Sequence, residues 1–340
     1  RDDVPVESSP TRYALYAALF PHLIAGPIVR YRDLADRLGD RIITPDGFAE
    51  GVRRFVIGLG KKVLLANTVA TAADDIFGLP TAALGAGAAW LGLACYSLQI
   101  YFDFSGYSDM AIGLGKMFGF DFAENFRHPY AAASVTDFWR RWHMTLSSWL
   151  RDYVYIPLGG SRCSSGRVLV NLVIVFVLCG LWHGAAWTFL VWGLWHGAFL
   201  VAERLGLGRA LEAAPRPLRH VYTLLAVMGG WVLFRADSFP HAAGYFAALV
   251  GGGAGHDPVW SYAGRAVWIA LAVGCVASLP VGPWLGELGE RRGVSPTWPR
   301  SRWREAGWAM AEFAGYSGLL FGSVLCLAAG TYNPFLYFRF

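Results

Sequence analysis

SVTDFWRRWHMTLSSWLRDYVYIPLGG (Ser134–Gly160) decides how the rest of the chain is read. Val135, Phe138, Trp142, Leu146, Trp149 and Tyr153 recur at steps of three and four, the spacing of a helix face. Thr136, Arg140, His143, Ser147 and Arg151 follow the same steps on another face and form one polar stripe. The periodicity predicts one helix over Thr136–Ile156. It is too polar for lipid on every side, so it reads as an interfacial or re-entrant segment buried in protein. A turn-rich basic loop, Pro157–Arg167, follows. Beyond it lie two apolar runs that hold LWHGAAW (Leu181–Trp187) and LWHG (Leu194–Gly197). Three histidines, His143, His183 and His196, therefore sit in hydrophobic surroundings.

The composition fits that reading. The 340-residue chain is 55% hydrophobic and 16% charged, against about 25% charged in soluble domains. Aromatics reach 15% and glycines number 41. Together these predict an all-α, multi-pass membrane protein, because lipid satisfies no backbone polar group and only helices or closed barrels solve that problem. The net charge of +5 fits cytoplasmic loops of a membrane protein better than a nucleic-acid surface. Cys95, Cys163, Cys179, Cys275 and Cys326 are scattered without CxxC spacing, which argues against a disulfide framework or metal cluster. The opening RDDVPVESSP has neither an n-region nor an h-region and reads like an internal loop. The expectation is a single membrane-embedded domain over residues 1–340, cut from something longer.

Further apolar stretches are expected at Tyr13–Val29 (broken by Pro21, Gly26 and Pro27), Ala82–Tyr101, Val168–Trp182, Ala185–Val201, Val221–Phe234, Ala266–Leu285 and Trp308–Ala329. Phe48–Ala73 and the shorter Phe239–Val250 read as amphipathic helices, and TYNPFLYFRF at the end as an interface anchor. Arginine-rich loops at Glu203–Arg219 and Glu290–Arg304 are expected in the cytoplasm, which places His241–His256 and the C-terminus outside. GLGKK and GLGKM lack the GxxxxGK[ST] pattern of a phosphate loop. Small residues at helix contacts explain them better.

Among residues able to carry chemistry, His183 leads. A neutral imidazole takes a proton near neutral pH and suits a general base acting on a hydroxyl; the plain alternative is a core histidine bonded to a carbonyl. His143, on the polar stripe, suits orienting a substrate or stabilising an oxyanion, or simply faces headgroups. His196 lies 13 residues after His183, about 20 Å along a straight helix, so it reads as support. Metal spacing such as HxxxH is absent, and no metal site is expected. Asp103 and Asp109 read as a proton relay or as ion-pair partners of Lys116 or an arginine. Arg140 and Arg151 suit the phosphates or carboxylate of a donor. With Ser147, Trp182 and Asp103 they make up the candidate substrate-contacting set.

These pieces resemble the membrane-bound O-acyltransferase superfamily and, within it, the alginate O-acetyltransferase subunit family. The resemblance is carried by FPHLIAGPIVRYRDL (Phe20–Leu34), YFDFSGYSDMAIGLGKMFGF (Tyr101–Phe120), ENFRHPY (Glu124–Tyr130), DFWRRWHMTLSSWLRDYVYIPLGGSR (Asp137–Arg162), LWHGAAWTFLVWGLWHG (Leu181–Gly197), WVLFRADS (Trp231–Ser238) and NPFLYFRF (Asn333–Phe340), in that order. The related teichoic acid D-alanyl transferases share the FWxRWH core, and YIPLGGSR (Tyr155–Arg162) favours the acetyltransferase branch. The resemblance implies a ring of helices around a central funnel in the bacterial inner membrane. It implies acyl transfer, acetyl above all, from a cytoplasmic donor such as acetyl-CoA towards an exported polysaccharide, with no tightly bound cofactor. It places the catalytic histidine at His183 and its partner at His143. Implied partners are an SGNH-like periplasmic acetyltransferase and the polysaccharide export machinery. Family members carry several spans ahead of the segment matching Phe20–Leu34, so a shortened chain is expected. The competing readings are D-alanyl or other acyl transfer, a transport protein using the histidines as a proton relay, and a non-catalytic scaffold.

Overall fold

The longest helices pack because they carry glycine where they cross. In the computed structural model, which describes residues 6–39, 41–255, 258–281 and 302–330, α1 spans Pro10–Ala17 and α2 spans Pro45–Phe77. The helix α3 runs unbroken over Ala86–Met117. A Cβ on Gly58 of α2 would lie 2.5 Å from the carbonyl oxygen of Gly106 of α3, and one on Gly113 would lie 2.6 Å from that of Gly51. Bare backbone on both sides lets the two axes approach this closely. The glycines of GLGKK and GLGKM are therefore contact residues, as expected from their lack of a phosphate-loop pattern.

At Lys61–Ala66 the turn of α2 widens into a π-helical segment. Lys61 and Lys62 then both reach α3. Lys61 Nζ donates to Asp109 at 2.6 Å, and Lys62 pairs with Asp103. Asp109 also accepts from Arg54 at 2.8 Å. The carboxylates of α3 thus take their cations from α2, not from Lys116, which pairs with Glu50.

The segment Thr136–Ile156 is not one helix. It forms α4 (Val135–Trp139) and α5 (Met144–Leu150), followed by a π-helical turn at Arg151–Tyr155. Between them His143 takes a left-handed conformation, φ 43° and ψ 54°. The break has a cause outside the segment. Arg127 N–H donates to the carbonyl of Arg141 at 2.9 Å, and Met144 N–H donates to the carbonyl of Asn125 at 2.9 Å. Backbone groups that would continue the helical ladder pair instead with the ENFRHPY loop. The continuous polar stripe is lost with it: Arg140 is exposed while His143 is buried.

Next come α6 (Ser165–His183) and α7 (Trp187–Ala202), an antiparallel hairpin. Its arms again meet through glycine. A Cβ on Gly193 would lie 2.2 Å from the carbonyl oxygen of Phe176, and one on Gly180 would lie 2.4 Å from that of Phe189. After a short helix at Gly208–Ala213 come α8 (Arg216–Arg235), α9 (Phe239–Leu249), α10 (Arg265–Ala277) and α11 (Arg302–Ala328). Pro45–Phe77, Ser165–His183 and Ala309–Ala328 are long and apolar enough to cross a membrane. The described residues contain helices and loops and no strand. The stretch Tyr13–Val29 shortens to α1 and one tight turn at Phe20–His22, where Pro21 removes a backbone donor. Ala82–Tyr101 lengthens into α3, whose polar second half is buried against α2 and the α4–α5 element. The expected anchor over residues 331–340, and most of the Glu290–Arg304 loop, lie outside the described residues.

A single aromatic core ties these elements together. Phe138, Trp139, Trp142, Trp192 and Trp231 are all buried. Trp142 packs on Trp231 at 4.9 Å and Phe126 at 5.1 Å between ring centres. This core fixes the α4–α5 element between α3 and the hairpin.

Candidate active site

His143 owes its burial to the break that precedes α5. Its ring stands edge-on to Phe104 of α3 at 4.7 Å and to Trp182 of α6 at 5.9 Å. Its Nδ1 lies 3.0 Å from Oδ1 of Asn125. The same Oδ1 accepts from Thr145 N–H at 3.3 Å and Thr145 Oγ1 at 2.9 Å. Asn125 in turn donates through Nδ2 to Ser108 Oγ at 3.0 Å. His143 Nε2 is buried without a hydrogen-bond partner among the described residues.

His183 closes α6, where Gly184 ends the helix. A side chain at Gly184 would strike the Phe189 ring at 2.6 Å, so the turn that presents His183 depends on glycine. The imidazole is only half-buried and stands edge-on to Trp182 (4.9 Å), Trp192 (5.0 Å) and Phe234 (5.2 Å). No hydrogen bond engages it among the described residues. Trp182 is the shared neighbour. One face of the site is His143, buried and oriented by the protein, and the other is His183, open to an incoming group. Each imidazole is a group able to take a proton near neutral pH, which is what attack by a hydroxyl on an acyl carbon demands.

His196 lies beyond Trp192, 5.3 Å from that ring, and is fully buried. Phe138 stacks on it at 6.4 Å and Trp139 meets it edge-on at 5.1 Å. It touches the rings of α4 and not those of His143 or His183. Its cage explains Gly230, where a Cβ would sit 2.6 Å from His196 Nε2. Asp103 lies in the α2–α3 interface, paired with Lys62.

Ser147 and Arg151 line a narrow apolar groove of about 170 Å³ with Trp139, Phe176 and Cys179, and Arg151 also pairs with Asp152 at 2.7 Å. Cys179 is one helical turn before His183. Arg140 lines a separate, more polar cavity of about 330 Å³ with Arg204, Arg219 and the carboxylates Glu203 and Glu212. None of these three arginines makes an ion pair among the described residues. Leu172 and Leu200 line both spaces, so the polar cavity and the apolar groove adjoin.

Two residues escaped the sequence reading. Asn125 sits in ENFRHPY, a stretch with a loop-like look and no periodic signal. Glu203, named only as the start of an arginine-rich loop, caps α4. Its carboxylate accepts from Val135 N–H (2.7 Å), Thr136 N–H (2.9 Å), Thr136 Oγ1 (2.5 Å) and Tyr222 Oη (3.1 Å). An acidic residue at the start of an arginine-rich loop was the only cue.

A model of the membrane-bound O-acyltransferase family matches residues 4–234. A probable alginate O-acetylase of Azotobacter vinelandii is 50% identical over 254 residues, covering 73% of this chain and 50% of the relative. Its counterpart in Pseudomonas putida is 43% identical, covering 100% of this chain and 71% of the relative. A peptidoglycan O-acetyltransferase of Helicobacter pylori is 42% identical, covering 70% of this chain and 46% of the relative. The chain thus spans about half the length of the Azotobacter and Helicobacter proteins. The match takes in α1 through nearly all of α8, and with it both histidines of the site: this chain belongs to the membrane-bound O-acyltransferase family.

Proposed function

We propose that this chain is a membrane O-acyltransferase that moves acetyl groups from cytoplasmic acetyl-CoA towards O-acetylation of an exported cell-surface polysaccharide. The observation that carries the reading is the meeting of His143 and His183 on Trp182, from two separate elements. The names borne by the relatives, alginate O-acetylase and peptidoglycan O-acetyltransferase, supply the acyl group and the polymer class.

The chemistry runs as follows. The acceptor hydroxyl oxygen attacks the thioester carbonyl carbon and forms the new C–O bond. Its proton passes to His183, the more open imidazole. The C–S bond breaks, and the departing thiolate takes a proton back. His143 is the buried partner across Trp182. Arg140, Arg204 and Arg219 offer fixed positive charge to the donor's phosphates, and the adjoining groove past Ser147 and Arg151 leads towards the turn below His183. A periplasmic SGNH-like acetyltransferase as acyl recipient, and a bacterial inner-membrane location, belong to the same proposal.

His183→Ala tests it. In membranes carrying the full chain, transfer of labelled acetyl from acetyl-CoA is expected to fall by about 10²–10⁴-fold, the usual loss of a general base. Undiminished transfer would remove His183 from the chemistry. Ion flux through the same membranes that survives the substitution, with no acyl product at any stage, would instead favour a transport protein.

A further inference from the structure

Backbone amides decide which ring nitrogen of His143 carries its proton. Ile28 N–H donates to Thr145 Oγ1 at 3.0 Å. That hydroxyl in turn donates to Asn125 Oδ1 at 2.9 Å. Thr145 N–H donates to the same oxygen at 3.3 Å. An amide N–H has no other role than donor, so the Asn125 atom facing them is the carbonyl oxygen and not the NH₂. The NH₂ is then the group that meets Ser108 Oγ at 3.0 Å. The third neighbour of Oδ1 is His143 Nδ1 at 3.0 Å. An acceptor faces it, so Nδ1 must hold the hydrogen.

We propose that Asn125 is a positioning residue that holds His143 as the neutral Nδ1–H tautomer, leaving the buried Nε2 lone pair to accept a hydrogen bond or a proton from the reacting groups. The assignment changes what His143 does. An Nε2 without hydrogen cannot stabilise a developing oxyanion, the role its place on the polar stripe suggested. It can take a proton from a hydroxyl brought within hydrogen-bond reach of it. Fixing the tautomer through the far nitrogen is a general way to ready an imidazole for base work.

The loop is built to hold Asn125 still. Its backbone carbonyl accepts from Met144 N–H at 2.9 Å, and the neighbouring Glu124 receives both arms of Arg54, at 2.9 and 2.6 Å. Asn125 itself has no exposed surface, and its side chain ties α3, through Ser108, to the His143–Thr145 corner.

The tautomer is readable by nitrogen NMR of the full chain with isotope-labelled histidine, the His143 signals being assigned by difference from His143→Gln. A protonated, pyrrole-like Nδ1 with a pyridine-like Nε2 is expected at neutral pH. The reverse pattern in the wild-type protein overturns the assignment, whatever the activity data say. Asn125→Leu is expected to mix the two tautomers and lower acyl transfer by about 10–100-fold, the range seen when the group orienting an imidazole is lost. Asn125→Asp keeps the accepting oxygens, so it should restore the Nδ1–H form and most of the rate. It should also move the acid limb of the pH–rate profile upward, because an anion beside His143 favours the imidazolium and the neutral base is then reached only at higher pH. A leucine variant as active as wild type, or an aspartate variant no better than the leucine one, counts against Asn125. The role given to His143 rests on the acyl-transfer reading, and the two fail separately. Wild-type transfer by His143→Gln removes His143 from the chemistry, while the nitrogen spectrum still decides the tautomer.

Discussion

Asp152 carries more than its exposed neighbours suggest. It stands where α5 passes into its last turn, outside the spanning helices, with Arg151 at 2.7 Å and Arg30 at 2.6 Å. Hydrogen bonds from Arg151 first, then from Arg30, hold its carboxyl at about 2, below its ordinary 3.8, against the opposing pull of burial. A group whose pKa is lowered by folding stabilises the folded form above its unfolded pKa and ceases to do so as pH falls through the folded one. The contribution is thus full above about pH 4 and lost towards about pH 2. Arg30 also donates to Ser148 at 3.1 Å and lies over Tyr153 at 5.5 Å, so the pair fastens the 28–32 segment along α5. Asp152→Asn is expected to lower the midpoint of thermal unfolding at neutral pH. The gap from wild type should close as the pH is brought down towards 2.5. A gap that stays constant with pH would mean the pair adds nothing through its charge. The motif PIVRYRDL was visible in the sequence, but its partner lies 122 positions later, and no periodic signal links residues so far apart.

At the scale of the element, the buried pair between α2 and α3 separates structure from chemistry. Lys62 and Asp103 are both buried, at 10% and 4% side-chain exposure. Removing one partner leaves an uncompensated charge and costs about 3–5 kcal/mol, whereas replacing both by apolar side chains of similar size is often neutral. Lys62→Met alone is expected to depress the yield of folded protein from membranes strongly, and Lys62→Met with Asp103→Leu to recover it. Acyl transfer at the wild-type rate in the recovered protein would end any role for Asp103 towards substrate. Loss of transfer with folding intact would give it one. The two elements also show where periodicity succeeds and where it fails. The apolar half of α3 was legible by length and composition, and its glycines by their spacing. The α4–α5 element was legible as to its faces but not its break. Neither glycine nor proline marks the Arg140–His143 corner, because the pull comes from the backbone of Asn125 and Arg127 in an upstream loop. Helical spacing put Arg140 and His143 on one stripe, and a tertiary contact turned them apart.

Across the whole molecule, composition was enough to foresee an all-helical membrane protein, and the apolar runs located most helices to within a few residues. What composition does not encode is which helix ends meet, and the Glu203 carboxylate is the clearest case. It caps an element whose first residue precedes it by 68 positions. A ribosome makes a chain from its N-terminus, and early segments fold or wait as later ones emerge. When α4 leaves the ribosome Ser134 can cap its Asp137 amide, but the amides of Val135 and Thr136 have no acceptor, and unpaired donors in an apolar setting are unfavourable. They gain one only after both arms of the α6–α7 hairpin have been made. The α4–α5 segment, with His143 behind it, is therefore expected to close last, over a hairpin already inserted. Stalled chains should report the order: a cysteine placed at Thr136 is expected to stay reactive in chains halted at Ala202 with the hairpin clear of the ribosome, and to become protected once Glu203 and α8 have followed. Protection before Glu203 emerges would show that α4 settles without it. One carboxylate would then act as the latch by which the membrane protein times the completion of its own centre.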